Sequence, residues 1–203
     1  MTKEFPDGST VIGRTVDKCI ESNAEVHLIS DSENILNKTS LSKSQKHIEK
    51  KGSSGTERIS FFLNDNDNFN NSDLGIIILG DQPEIDPNLI NFICDEFDNL
   101  DKYFDGLTLH LKSNNQENFT GVNNCKMVLG KNNQIYYISR SPIPGYKDGN
   151  LNPLNSSDHF QHVSIVALKI KWIKRYAELD YFNCQRENNE WLPFILNGCK
   201  IKR

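Results

Sequence analysis

LGIIILGDQPEIDPNLINFICDEF, residues 74–97, reads as a strand, a turn and a helix in immediate succession. The apolar run carries no polar alternation, the pattern expected of a parallel strand covered on both faces. Gly80-Asp81-Gln82-Pro83 interrupts it, and Asp86-Pro87 then opens a helix, where a residue lacking its N–H loses nothing in the first turn. Asp81 is thereby placed at the carboxyl end of a central strand, the end at which open α/β sheets bind their ligands.

A chain of 203 residues suits one α/β domain spanning 1–203. Its 23 basic and 27 acidic side chains include no basic tract able to follow a phosphate backbone, so nucleic acid is not expected as a partner. The longest apolar run falls far short of the roughly 20 residues that cross a bilayer, and no secretory leader opens the sequence, so no membrane partner is expected. Cys19, Cys94, Cys125, Cys184 and Cys199 are odd in number and contain no CxxC pair, which reads as free thiols in a reducing cytoplasm. Asparagine clusters such as NDNDNFNNSD (64–73) and SNNQEN (113–118) read as turns and loops.

Before this unit, Ser9 and Thr10 are capping residues for a helix ending near Asn23. EVHLIS (25–30) is a short strand running into a capped turn at Asp31, Ser32 and Glu33. The lysine-rich stretch 37–53 reads as a solvated helix or connection. SSGTERISFFL starts another helix at about Ser54. After it, GLTLHLK, KMVLG (126–130) and QIYYIS (134–139) are strand candidates, the last two joined as a hairpin through KNNQ. A polar loop from about Gly145 to Asp158 precedes HVSIVALKI (162–170) and a short helix at WIKRYAELD. The last residues read as a helix interrupted near Pro193, a turn at Gly198 and a strand fragment.

No P-loop, GxSxG or HExxH motif is present, which removes several enzyme classes. The remaining chemistry sits where strands end. Asp81, in a proline-fixed turn, is suited either to Mg²⁺, a hard cation preferring oxygen, or to capping the next helix. Arg140 breaks an aromatic strand in IYYISRSPIP (135–144). Its planar fork suits a carboxylate or phosphate, with Pro142 and Pro144 restricting the backbone behind it; a surface ion pair is the alternative. His159 and His162 have a spacing that brings two imidazoles to one metal on a helix, yet His162 opens a strand, so a ligand contact or a core histidine fits better. Ser54, Thr56 and Arg58 stand at a helix start, where free N–H groups favour anions or an ordinary cap forms.

Taken in order, SSGTER, ILGDQPEI, IYYISRSPIP and FQHVSIVAL resemble the motifs of the 3-deoxy-manno-octulosonate cytidylyltransferases, relatives of the acylneuraminate enzymes, over about Val11 to Lys202. That resemblance implies a nucleotide-diphospho-sugar transferase-like, Rossmann-like α/β fold with a mostly parallel sheet. It also implies a small hairpin subdomain, within about 105–170, for sugar binding and homodimer contact. The implied reaction is attack by the anomeric hydroxyl of an acidic sugar, 3-deoxy-manno-octulosonate (Kdo), on the α-phosphorus of CTP, with Mg²⁺ as cofactor. Catalytic roles then fall to Asp81, as metal ligand, and to Arg140 and His162, facing the sugar. Ser54, Gly55, Thr56, Arg58, Gly80, Gln82 and Ser139 are the implied substrate-binding residues.

Several departures accompany the match. Leu79 stands where the family has Gln before Gly-Asp, and Gln161 where it has Arg before the histidine. The family's opening loop of the type ARxxSxRxPGKPL, with the arginine and lysine for the CTP phosphates, and its VDTPEDL segment are not in the sequence. The expectation is weak or absent CTP turnover by this chain alone. A sialic-type nonulosonic acid as the sugar, or a non-catalytic sugar-binding or assembly protein, are the competing readings.

Overall fold

The computed structural model describes residues 1–145, 147, 159–180 and 186–203. Most of the expected loop from Gly145 to Asp158 therefore lies outside the described residues. In chain order the first elements are α1 (Val11–Ile20), β1 (Leu28–Ser30), α2 (Glu33–Leu36), β2 (Lys46–Ile48), α3 (Gly55–Asn64), β3 (Leu74–Ile78) and α4 (Pro87–Asp98). There follow β4 (Gly106–Ser113), α5 (Gln116–Thr120), β5 (Lys126–Leu129), β6 (Ile135–Ser139) and β7 (His159–Lys169). The last are α6 (Ile170–Lys174), α7 (Leu192–Leu196) and β8 (Ile201–Lys202). Among the described residues no helix is long and apolar enough to cross a membrane.

The elements sort into two units, one of Met1–Leu100 with Lys169–Ala177, the other of Asp101–Leu168 with Glu178–Arg203. In the first, α1 begins as expected because the Thr10 side chain accepts from the N–H of Gly13. Its Ile12 and Val16 are buried with Leu41, and Val26, Leu28 and Ile35 pack on that cluster. The lysine-rich stretch holds a strand rather than a solvated helix: β2 pairs parallel with β1, Leu28 opposite Lys46. What secures it is the His47 ring, 4.3 Å from that of Phe62 on α3. Helix α3 is tied to α6 by the Ser60 hydroxyl and the Asn64 amide, which donate to the Lys174 carbonyl at 2.8 and 2.7 Å.

Strands of the second unit lie in the order β6-β5-β7-β4-β8. β5 and β6 form the expected antiparallel hairpin, and β4 runs antiparallel to β7 and parallel to β8. β7 starts at His159, three residues before the expected start, because β4 continues to Ser113 and offers partners to His159 and Phe160. Between the pairs Thr108↔Val166 and His110↔His162, β4 advances two residues while β7 advances four, a bulge on β7. Gly106 is required where β4 meets β7, since a Cβ there would lie 2.2 Å from the Ala167 carbonyl oxygen. Pro193 does not interrupt the last helix but occupies the first turn of α7, where a missing N–H is harmless.

Candidate functional site

In the first unit, β3 delivers Gly80 to a close contact. A Cβ on Gly80 would meet Met1 Cε at 2.6 Å and Ile12 Cδ1 at 2.7 Å, and the Gly80 carbonyl accepts from the Thr15 hydroxyl of α1 at 3.1 Å. The end of β3 is thus anchored immediately before Asp81. Asp81 itself is exposed, while the helix after the turn is capped by Asp86, whose carboxylate accepts from the N–H of Asn88 at 2.9 Å. Capping falls to Asp86, and the Asp81 carboxylate enters none of the ion pairs among the described residues. Gln82 closes the turn through its carbonyl, which accepts from Ile85 N at 3.2 Å.

The SGTER segment has its small residues around the start of α3. Ser54 is the N-cap, accepting from Glu57 N at 3.2 Å, and Gly55 is the exposed first helical residue. The Glu57 carboxylate accepts from both the N–H and the hydroxyl of Ser53, and those bonds hold its pKa below the ordinary carboxylate value. Arg58 reaches back to Asp31 at 2.9 Å and to the Gly52 carbonyl at 3.3 Å. Thr56 is 0 % exposed, so against expectation its side chain offers no surface to a nucleotide.

In the second unit the SRSPIP corner is clasped from two sides. Glu187 accepts from the Ser139 hydroxyl at 2.5 Å through one carboxylate oxygen and from Arg140 N at 2.8 Å through the other. The Arg140 guanidinium donates to the carbonyls of Glu187, Asn188 and Val122 at 2.7, 3.0 and 3.0 Å. Three of the roughly five guanidinium N–H donors are thereby engaged, leaving about two for a ligand. On the other side Lys126 is 0 % exposed and gives one bond each to the carbonyls of Gly121, Asn124 and Arg140, at 2.9, 2.6 and 2.5 Å. An ammonium has only about three donors, so all are satisfied. Burial nevertheless pulls the Lys126 pKa below the usual lysine value, against the opposing influence of Cys125 and Glu187.

His162 lies on β7, 5 % exposed, with its Nε2 3.1 Å from the Thr108 hydroxyl. That hydroxyl gives its proton to the Ile165 carbonyl at 2.5 Å, beside the bulge on β7. The hydroxyl must then accept, so Nε2 carries the imidazole proton and Nδ1 the lone pair. Burial depresses the His162 pKa to about 4, so the ring is neutral at pH 7. His159 does not complete a metal site with it; no cluster of three or more His, Cys, Asp or Glu suited to a metal occurs among the described residues.

Register brings part of the second-unit set together: Ser139 pairs with Lys126, and Lys126 with Gln161, a row across β6, β5 and β7. Gln161, the departure from the family pattern, donates its amide to Asn124 Oδ1 at 3.0 Å, on the loop that Lys126 also holds. Sequence reading missed Lys126 and Glu187. A lysine opening an apolar strand was a usable signal for the first; the second lies 47 residues from Arg140 and had none.

No family model matches the chain. It is 30% identical over 200 residues to a 3-deoxy-manno-octulosonate cytidylyltransferase of Fusobacterium nucleatum, covering 97% of this chain and 78% of the relative. To the protein of that name in Christiangramia forsetii it is 25% identical over 201 residues, with the same coverage. A Francisella tularensis relative of the same name is 36% identical over 98 residues, 46% of this chain and 38% of the relative. Among solved structures, a CMP:2-keto-3-deoxy-manno-octonic acid synthetase complexed with CTP matches with a TM-score of 0.80 at 20% identity, covering 100% of this chain and 84% of the other. That likeness establishes the α/β nucleotidyltransferase fold, and the near-full-length identity to the Fusobacterium protein establishes the relationship: the chain belongs to the 3-deoxy-manno-octulosonate cytidylyltransferase family.

Proposed function

We propose that this protein transfers CMP from CTP to 3-deoxy-manno-octulosonate. The sugar's anomeric oxygen forms a bond to the α-phosphorus as the α–β phosphoanhydride breaks and pyrophosphate leaves. The reading is carried by one observation, the match across 97% of the chain to relatives named for this activity. Those names favour Kdo over a nonulosonic sugar.

In this reading Arg140 meets the sugar carboxylate with its remaining donors, its orientation fixed by three carbonyls. Neutral His162 offers its Nδ1 as an acceptor to a sugar hydroxyl, the tautomer being held by Thr108. Arg58 and the N-terminal turn of α3 serve the nucleotide side, with the guanidinium limited by its bond to Asp31. Asp81 fits a magnesium site of the kind that uses one or two carboxylates together with substrate phosphates, because it is an exposed oxygen donor, outside the ion pairs among the described residues, on a loop anchored by Thr15. Mg²⁺ bound there supplies neutralisation of phosphate charge.

The protein is further inferred to act in the cytoplasm as a homodimer. The free thiols of Cys19, Cys94 and Cys125, among the described residues, support the location. Exposed Leu111, Val122 and Tyr136 in the hairpin region support the association. Light scattering behind a sizing column reads the mass directly, a monomer at all concentrations removing the dimer.

Pyrophosphate release is the test of activity, measured with CTP, Mg²⁺ and either Kdo or N-acetylneuraminate. Release that requires Kdo is the expected result. Release with N-acetylneuraminate alone transfers the protein to the sialic-type reaction, and no release with tight Kdo binding makes it a sugar-binding protein.

A further inference from the structure

The corner that presents Arg140 is not held by its own prolines alone. Glu187 grips it from one side through Ser139 Oγ and Arg140 N, and also receives the Arg140 guanidinium on its own backbone carbonyl. Buried Lys126 grips it from the other side through the Arg140 carbonyl, and ties that carbonyl to Gly121 and Asn124. The loop so tied includes Val122, whose carbonyl accepts from Arg140 Nη1. Every backbone polar atom of Arg140 is thus bonded to an ionised side chain, anion on the N–H and cation on the C=O. Bonds to ionised partners are shorter and roughly twice as strong as neutral ones. Such restraint at both ends of one residue fixes the direction in which its side chain leaves the main chain.

We propose that Lys126 and Glu187 are positioning residues for the acidic-sugar pocket, acting through Arg140 to hold its guanidinium in the orientation that receives the sugar carboxylate. This rests on the reading that Arg140 meets that carboxylate. Neither residue needs to touch the sugar.

The test is calorimetric titration of the full chain with Kdo and, separately, with CTP and Mg²⁺. Glu187→Gln keeps the shape but loses the anion and one acceptor. Loss of charge-assisted bonds of this kind weakens Kdo binding by about tenfold or more, with CTP affinity within about twofold of the unsubstituted chain. Lys126→Met tests the other grip independently, with the same expected selectivity. A purely structural role predicts something different, a lower melting temperature with both affinities reduced in parallel.

The decisive readout is a double-mutant cycle with Arg140→Ala. If Glu187 acts through Arg140, adding Glu187→Gln to Arg140→Ala leaves Kdo affinity where the single Arg140→Ala change put it. Additive losses overturn the proposal, as do variants that bind Kdo like the unsubstituted chain. An unsubstituted chain without affinity for Kdo, or one whose affinity survives Arg140→Ala, overturns the underlying reading of Arg140 and the positioning role with it.

Discussion

The hydroxyl of Thr108 receives the Nε2 proton of His162 across 3.1 Å while passing its own proton to the Ile165 carbonyl. Replacing Thr108 by Val keeps the shape and removes both bonds, leaving the buried Nε2–H and the Ile165 oxygen without this partner. A loss of about 1–3 kcal/mol of stability is expected, read by denaturant unfolding. A shift below about 0.5 kcal/mol means that the tautomer is set by something else.

The same ring makes stability fall with acid. His162 titrates near 6.5 when unfolded and about 4 when folded, so the unfolded chain binds the proton first. Its contribution is intact above about pH 6.5 and is lost progressively as the pH falls toward about 4. The shift corresponds to roughly 3 kcal/mol at most. His47 and His110 are lowered too, mainly by burial, and act in the same direction. Unfolding free energies between pH 7 and pH 4 therefore decline, and His162→Gln flattens that decline; an unchanged slope would remove His162 as its source.

Gly106 faces the Ala167 carbonyl oxygen at a distance no Cβ can tolerate, and its neighbour there is backbone rather than a movable side-chain tip. Gly106→Ala is expected to cost about 3 kcal/mol or more, beyond ordinary overpacking, because β4 and β7 must separate. Gly80→Ala offers the contrast. It meets only the ends of the Met1 and Ile12 side chains and should be milder. Thermal melting of the pair checks the order.

Asp81 is exposed and outside the ion pairs among the described residues, so Asp81→Asn should leave stability within about 0.5 kcal/mol. The expected effect is on nucleotide binding: CTP affinity measured with Mg²⁺ falls by about tenfold, while affinity measured with EDTA is unaltered. Equal loss under both conditions would assign Asp81 a contact other than metal.

Much of this was legible from local signals. Thr10, Ser54 and Asp86-Pro87 mark three helix starts because capping is chemistry between residues two or three apart. The β5–β6 hairpin was equally local, its tip turned by Asn132 and Asn133 in the left-handed region. Strand β2 was not legible, since Lys-His-Ile has neither alternation nor length and becomes a strand through β1 and the Phe62 ring. Helix α5 hid in an asparagine cluster that reads as loop, although Asn115 is its cap, accepting from Glu117 and Asn118. At the candidate site Asp81, Arg140 and His162 could be named from motifs. Their supports could not, because Thr108, Lys126 and Glu187 are set by strand register and by contacts across 54, 14 and 47 residues.

Lys126 has a consequence for how the protein experiences its surroundings. Three carbonyl oxygens converging on a sealed ammonium are the coordination that a monovalent metal ion would otherwise fill. Here the cation is covalently part of the chain, so it cannot be diluted, chelated or exchanged for sodium or potassium. The folded corner behind Arg140 therefore carries its own cation and needs no metal ion from the medium to gather those carbonyls.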